Sequence, residues 1–474
     1  SRVIAELETV STTDKFQLMW MGCRRAFASA AIAAGIWTAE ARVSITSTTP
    51  VSLQAAGFAS ALQNLLDDIT DLRSSQGASL SLSWKSAELE VTVTSGTSQG
   101  RNVTEEDTWL FGSATKPYTA AMVMQAAEQG LLDLNATVSR YVDKYFLALT
   151  NKTLVEVLGP NVTNVTVWHL VTMQSGIPDF DIPSLDEEIL ANAYNESWAP
   201  YRLLESAAQE PWTCAPGTCV YYSSSNFVLL GYVLLAVHGG PSGHYGWNKL
   251  DQSAVLPPSC DRSSFLTNSS LSLRLTVPGL SDGGVGERRL RGQLESRPTR
   301  KSLRQSRVAL SPTRIYRQPA DILGWTCGNL VATTKDVVEF MWQLMATRTT
   351  VSEESLRLMS QTRPMSFGFG KGSIEYGAGL FSQQSDYARL RRERNWTYGD
   401  WGTTLGHGGD TYGFLSDQGY IPQLNATWSY AVNRDTPPNK VYILTCEVIR
   451  LAAELLRNMT TPLLCGRDFA SVYV

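Results

Sequence analysis

The sequence predicts an α+β fold, on three observations. Alternating or β-branched runs lie near both ends of the chain, at 78–84 and 89–94 and again at 376–382, 402–407, 412–416 and 427–433. Between about 120 and 250 the chain reads mostly as helices and loops. Strands and helices do not alternate as βαβ units would. The expectation is therefore one sheet built from both termini, with a helical insertion between its halves.

Each element has its own signal. From 55 to 73, Leu62, Leu65, Leu66, Ile69 and Leu72 recur at helical spacing. The runs Ala78 to Trp84 and Leu89 to Thr94 are separated by the polar Lys85-Ser86-Ala87-Glu88, a turn sequence. A helical stretch follows Trp109-Leu110-Phe111-Gly112 and continues through Leu132. Further helices are expected at 334–345, 352–360 and 440–457.

Composition narrows the class. The chain has 474 residues, 43% hydrophobic and 18% charged, which fits a folded protein and not a collagen-like, coiled-coil or disordered one. With 40 basic against 44 acidic residues the net charge is -4, and nothing global points to nucleic acid. The four histidines (His169, His238, His244 and His407) show no metal-ligand spacing, so no metal is expected.

Two features bear on compartment. Ten N-x-S/T sequons are spread over the chain, as in a protein of the secretory pathway. Arg24-Arg25, the apolar stretch from Ala26 to Trp37 and Ala39-Glu40-Ala41 follow the order of a signal peptide, at about 21–41. Cleavage after Ala41 would remove Cys23 and leave six cysteines, an even number suited to disulfides. A short amphipathic helix or an uncleaved membrane anchor are the other readings of this stretch. No other apolar run is long enough to span a bilayer, so no transmembrane segment is expected in the mature chain. Cys214 and Cys219 bracket the turn sequence Ala215-Pro216-Gly217-Thr218 and are expected to be bonded. Cys260 and Cys327 flank a basic segment and are a second candidate pair.

That segment, 287–317, holds ten basic residues against two acidic ones and few large apolar ones. A solvated, disordered loop is the leading expectation. A polyanion- or membrane-binding arm and a gene-model error are the alternatives.

Chemistry concentrates at Ser113-Ala114-Thr115-Lys116, an S-x-x-K at the head of a helix. A separation of three residues puts a hydroxyl and an amine on one helical face. A serine hydroxyl needs a base within hydrogen-bond reach, and a partly desolvated lysine can supply it. The free N–H groups of a helix start also suit an oxyanion. Pro117 keeps regular helix from extending far N-terminal of this turn.

The decapeptide Phe111 to Ala120 resembles the nucleophile motif of the serine β-lactamase and penicillin-binding protein superfamily, in its class C β-lactamase-like branch. Gln129 to Leu134 with Val138 to Tyr141, Val165 to Pro178, Pro216-Gly217 with Tyr222 to Gly231, and Gly406 to Asp410 resemble later blocks of that family, in the family's order. Together they cover about 75 to 460. The resemblance implies a β-lactamase/transpeptidase-like fold: an antiparallel sheet flanked by helices, plus a mostly helical lobe, with the site between them. The implied layout is a leader over 1–50, a hydrolase domain over 51–465 interrupted by the basic insertion at about 262–318, and a tail over 466–474.

The resemblance also implies roles. Ser113 would attack a carbonyl and Lys116 would take or share its proton. Tyr222 would relay that proton to the leaving group. His407 stands where the family has a strand lysine and would orient substrate or complete the proton network. The backbone N–H groups of Ser113 and Asp410 would form the oxyanion hole. Gly408 and Gly409 would let substrate approach the strand closely. Ser224 stands where the family has Asn; it is shorter, with one donor instead of two. The expected protein is a secreted, glycosylated serine hydrolase acting on an ester, amide or peptide, with no cofactor, and with β-lactams and peptides suffering more than esters from Ser224. The competing reading is a catalytically weak binding or scaffold protein that keeps the fold.

Overall fold

A computed structural model describes residues 3–6, 42–47, 53–70, 77–85, 89–239, 246–281, 313–368, 371–386, 396–397, 399–435 and 443–465. The signal-peptide pattern and the basic run from Arg288 to Arg307 lie outside them.

One antiparallel sheet organises the chain. Its strands are β1 (Val3–Glu6), β2 (Arg42–Ser47), β3 (Gly77–Trp84), β4 (Leu89–Ser98), β5 (Arg363–Pro364), β6 (Ile374–Tyr376), β7 (Phe381–Gln384), β8 (Thr403–Thr411), β9 (Phe414–Ile421) and β10 (Ala426–Val432). Their order across the sheet is β1-β2-β4-β3-β10-β9-β8-β7-β6-β5, and an eleventh, two-residue strand, Arg101–Asn102, pairs with β4 off this path. The N- and C-terminal halves join where β3 pairs antiparallel with β10, Ala78 opposite Val432 and Ser83 opposite Thr427.

Period-2 patterning explains how β3 is buried on both faces. Leu80, Leu82 and Trp84 face a core shared with Phe58, Leu62 and Leu66 of helix α1 (Leu53–Ile69). Ser79 and Ser81 point the other way, each bonded to the Thr334 hydroxyl, at 2.8 and 2.7 Å. The first face also carries α11 (Leu444–Leu451), which a disulfide between Cys446 and Cys465 ties to the segment beyond it.

The second face carries α2 (Lys116–Glu128), α9 (Thr334–Met345) and α10 (Glu353–Met359). The lobe comprises α3 (Ser139–Thr150), α4 (Leu154–Leu158), α5 (Val167–Val171), α6 (Pro183–Asn192), α7 (Pro200–Ala207) and α8 (Ser225–His238). Helix α8 is buried continuously from Ser225 to Leu235 and is the lobe's axis.

Some elements differ from expectation. The run 376–382 is a hairpin, β6–β7, turned at Gly377-Ala378-Gly379. Gly379 has φ +72°, and a Cβ there would lie 2.4 Å from that of Ala120, so the turn seats against α2. Strand β8 runs past His407 through both glycines to Thr411, because a ladder needs backbone groups and not side chains.

The expected insertion is narrower than 262–318. Leu266, Leu271, Leu275, Val277 and Ile315 are buried in the lobe-side core, and Gly279–Ser281 pairs with Thr313–Ile315. Cys260 and Cys327 are both buried and not bonded to each other, so the second candidate disulfide does not form. Cys214 and Cys219 are bonded. Nine sequon asparagines are described: eight are exposed and Asn102 is half-buried. Among the described residues no helix is long and apolar enough to cross a membrane.

Candidate active site

Ser113 lies on a 3-10 turn, Gly112–Thr115, that runs directly into α2. Surrounding elements hold the turn. Phe111 N–H donates to Leu330 O at 3.0 Å, and Ser416 Oγ donates to Phe111 O at 2.9 Å. Gln418 Nε2 donates to Ala114 O at 2.6 Å. Gly112 has φ +50°, and a Cβ there would lie 3.0 Å from Asp410 O, so the Ser113 turn abuts the end of β8.

Lys116 is completely buried, and its Nζ reaches three oxygens. It donates to Ser113 Oγ at 2.8 Å, to Cys327 O at 3.2 Å and to Ser224 Oγ at 3.4 Å. None of the three is a carboxylate. The Tyr222 and Phe227 ring centroids lie 5.0 and 5.7 Å from Nζ, within cation–π range. Ser113, Lys116, Tyr222 and Ser224, from two blocks a hundred residues apart, therefore surround one amine. Ser224 still meets that amine, at the long end of hydrogen bonding.

The segment carrying Tyr222 and Ser224 is tied down beside α5. Thr213 N–H donates to Gly176 O and Tyr221 N–H to Met173 O, both at 2.9 Å, and the Cys214–Cys219 bridge closes the loop between them. Ser224 N–H donates to Asp179 Oδ1 at 2.9 Å.

His407 differs from its expected place. It is fully buried, does not line the cleft at Ser113, and stacks on Phe381 with centroids 3.9 Å apart. Its Nδ1 lies 2.6 Å from Gly408 O, and because a carbonyl only accepts, Nδ1 carries the proton. Nε2 is then an acceptor, 3.5 Å from Tyr376 Oη. Desolvation, then the Lys116 ammonium, hold the imidazole well below its ordinary pKa, so the ring is neutral. It stands behind Tyr222, with ring centroids 5.9 Å apart.

The two glycines serve different ends. A Cβ on Gly409 would lie 1.8 Å from Phe111 O, so its absence lets β8 approach the Ser113 turn. A Cβ on Gly408 would meet Asp417 Oδ1 at 3.8 Å and Ser416 O at 3.9 Å, ordinary contacts that leave room for a side chain.

Sequence reasoning missed Asp179, Tyr376, Phe381 and the carbonyl of Cys327. Nothing in local spacing pairs Asp179 with Ser224, or a carbonyl with a lysine about two hundred residues before it. It also missed that Asp181, Asp186 and Tyr412 line the cleft with Ser113 and Ser224. Among the described residues no cluster of His, Cys, Asp or Glu is arranged to hold a metal.

The chain matches the Beta-lactamase family over residues 87–445. It belongs to the β-lactamase family. Penicillin-binding protein 4 of Amycolatopsis lactamdurans is 24% identical over 189 residues, 39% of this chain, and the match spans only 43% of that protein. Among solved structures, a D-stereospecific amidohydrolase from Streptomyces sp. superimposes with a TM-score of 0.61 at 19% identity, covering 85% of this chain and 99% of that one. The D-amino acid amidase of Ochrobactrum anthropi SV3, complexed with L-phenylalanine amide, gives 0.58 at 19% identity, with 85% and 99% covered. At such identities these structures establish the β-lactamase-like fold.

Two buried titratable groups beside the site oppose each other. Asp417 pairs with Gly408 across the ladder; burial pushes its carboxyl up to about 7, against hydrogen bonds from Gln418, Gln383 and Thr445. A raised acid favours folding most below its unfolded pKa, so stability falls as pH rises from about 4 to about 7. A depressed histidine works the other way, and stability falls as pH drops below about 6.5. Each slope is at most about 1.4 kcal/mol per pH unit, and between about pH 4 and 6.5 they cancel. Asp417→Asn is expected to expose the histidine slope, lowering the urea midpoint between pH 6.5 and 5 more than in the wild type. Equal pH dependence in the two proteins would refute this account.

Proposed function

We propose that the chain is a serine hydrolase that works through an acyl-enzyme on Ser113. The observation that carries this reading is the 2.8 Å contact between Ser113 Oγ and the buried Nζ of Lys116. Ser113 Oγ attacks the carbonyl carbon of an ester or amide while its proton passes to Lys116 Nζ, which acts as base in the neutral amine form and becomes the ammonium. The carbonyl oxygen becomes an oxyanion facing the backbone N–H groups of Ser113 and Asp410. Collapse breaks the bond to the leaving group, which takes a proton through Tyr222. Water then attacks the acyl carbon, gives up its proton through the same residues, and returns Ser113 to its hydroxyl form. His407 orients Tyr222 from behind.

The similarity to an amidohydrolase and an amidase supports an amide or ester substrate. Exposed sequons and two disulfides support a secreted glycoprotein. A fluorophosphonate is expected to label Ser113, with mass spectrometry placing the adduct on the peptide holding Gly112 to Lys116. No adduct on folded protein would favour the scaffold reading, and an adduct on another serine would refute the mechanism.

A further inference from the structure

The Ser113 turn is gripped at both ends by one residue of a neighbouring strand. Leu330 opens the short strand Leu330–Ala332, which pairs with Trp109–Leu110. Its carbonyl accepts from Phe111 N–H at 3.0 Å, and its N–H donates to Thr115 Oγ1, also at 3.0 Å. Thr115 stands between Ala114 and Lys116 and is fully buried. Its hydroxyl in turn donates to Gly112 O at 2.7 Å. A lone pair and the single proton of that hydroxyl thus join the strand to the peptide between Gly112 and Ser113.

That peptide carries the Ser113 N–H. A trans peptide is planar, and its C=O and N–H point in opposite directions. With the Gly112 carbonyl aimed at the buried Thr115 hydroxyl, the Ser113 N–H is aimed away from it. Gly112 and Ser113 both line the cleft. The same peptide is also easy to misplace. Gly112 sits at φ +50° with no side chain to restrict its rotation, and the hydrogen bonds of a 3-10 turn are poorer than those of an α-helix. The Thr115 hydroxyl supplies a fixed partner that a soft turn lacks.

We propose that Thr115 is a positioning residue for acyl transfer: its hydroxyl fixes the Gly112–Ser113 peptide so that the Ser113 N–H faces the developing oxyanion. The inference rests on the serine-hydrolase reading and adds to it a residue that acts through the backbone of another. Negative charge grows on the substrate oxygen as Ser113 Oγ attacks. A donor turned aside is therefore missed more in the transition state than in the bound substrate. Loss of the hydroxyl should lower the acylation rate and leave substrate binding nearly unchanged.

Thr115→Val keeps the branched shape and removes both hydrogen bonds. Stopped-flow acylation by p-nitrophenyl acetate separates the acylation rate constant from the dissociation constant of the bound ester. The rate constant is expected to fall about 10²-fold, as when one oxyanion donor is lost, with the dissociation constant changing less than about threefold. Thr115→Ser restores the hydroxyl and should recover most of the rate. Thr427→Val controls for lost stability alone, since Thr427 is equally buried, on β10, and donates to Val338 O at 2.9 Å. It should melt lower and acylate at the wild-type rate. If Thr115→Val does not fold, Thr115→Cys takes its place, because a thiol is a weak donor, and its rate should lie well below that of Thr115→Ser. Wild-type acylation by Thr115→Val, or equal rates for the serine variant and its valine or cysteine counterpart, overturns the positioning role. Labelling of wild-type Ser113 by fluorophosphonate then leaves the hydrolase reading standing. A folded wild type that is neither labelled nor acylated overturns both.

Discussion

Replacing Lys116 with alanine is expected to slow acylation of Ser113 by about 10²–10⁴, the range of one general acid or base group. The amine stands 2.8 Å from Ser113 Oγ. Removing it leaves the hydroxyl with nowhere to send its proton as the carbonyl is attacked. The same change also empties a fully buried volume and strips a donor from Cys327 O, which costs about 1–3 kcal/mol in stability. Lys116→Met separates the two effects, since it keeps the stem and drops the amine. Labelling rates with fluorophosphonate, read beside melting curves, should show Met restoring stability without restoring rate. Ser113→Ala should abolish labelling altogether. A methionine variant that labels at the wild-type rate would remove Lys116 from the chemistry.

The parts of this site that were legible in the sequence are those encoded locally. S-x-x-K is a one-turn relation, so the meeting of Ser113 with Lys116 follows from helical geometry alone. The sheet built from both termini was also readable, because β3 alternates Ser and Leu from Ser79 to Ser83 and β10 alternates Thr427 and Ser429 with Trp428 and Tyr430. What the residues did not reveal depends on long-range packing. His407 reads as a site histidine from Gly406-His407-Gly408-Gly409, yet its burial is set by Phe381 and Tyr376, which arrive on a hairpin that the apolar run 376–382 disguised as one strand. Asp179 follows a Gly-Ile-Pro turn that gives no hint of the helix start it caps 45 residues later. The likeness to the family supplied the block order, and of the two roles it suggested for His407 the burial of this ring speaks against contact with substrate.

The two glycines after His407 give the sharpest test of how the nucleophile is held. Gly409→Ala places a methyl carbon 1.8 Å from Phe111 O and 2.4 Å from Ser416 Oγ. Ser416 can rotate, but the carbonyl cannot yield easily. Phe111 is held through its own N–H to Leu330, and its carbonyl belongs to the peptide that leads into Gly112 and Ser113. Relief must come from strand and turn moving apart, which shifts Asp410 N–H relative to Ser113 Oγ. Overpacking of this kind costs about 1–3 kcal/mol. A displacement near 1 Å between nucleophile and oxyanion donor costs about 10²-fold in rate. Gly409→Ala should therefore melt lower and label at least about a hundredfold more slowly. Gly408→Ala meets nothing nearer than 3.8 Å, and its loss of stability should stay below about 1 kcal/mol. If Gly409→Ala folds and labels like the wild type, close contact between β8 and the nucleophile turn is not what positions Ser113. Equal damage from both substitutions would point to strand backbone freedom as the cause, because the two alanines share that cost and differ only in what their methyl groups touch.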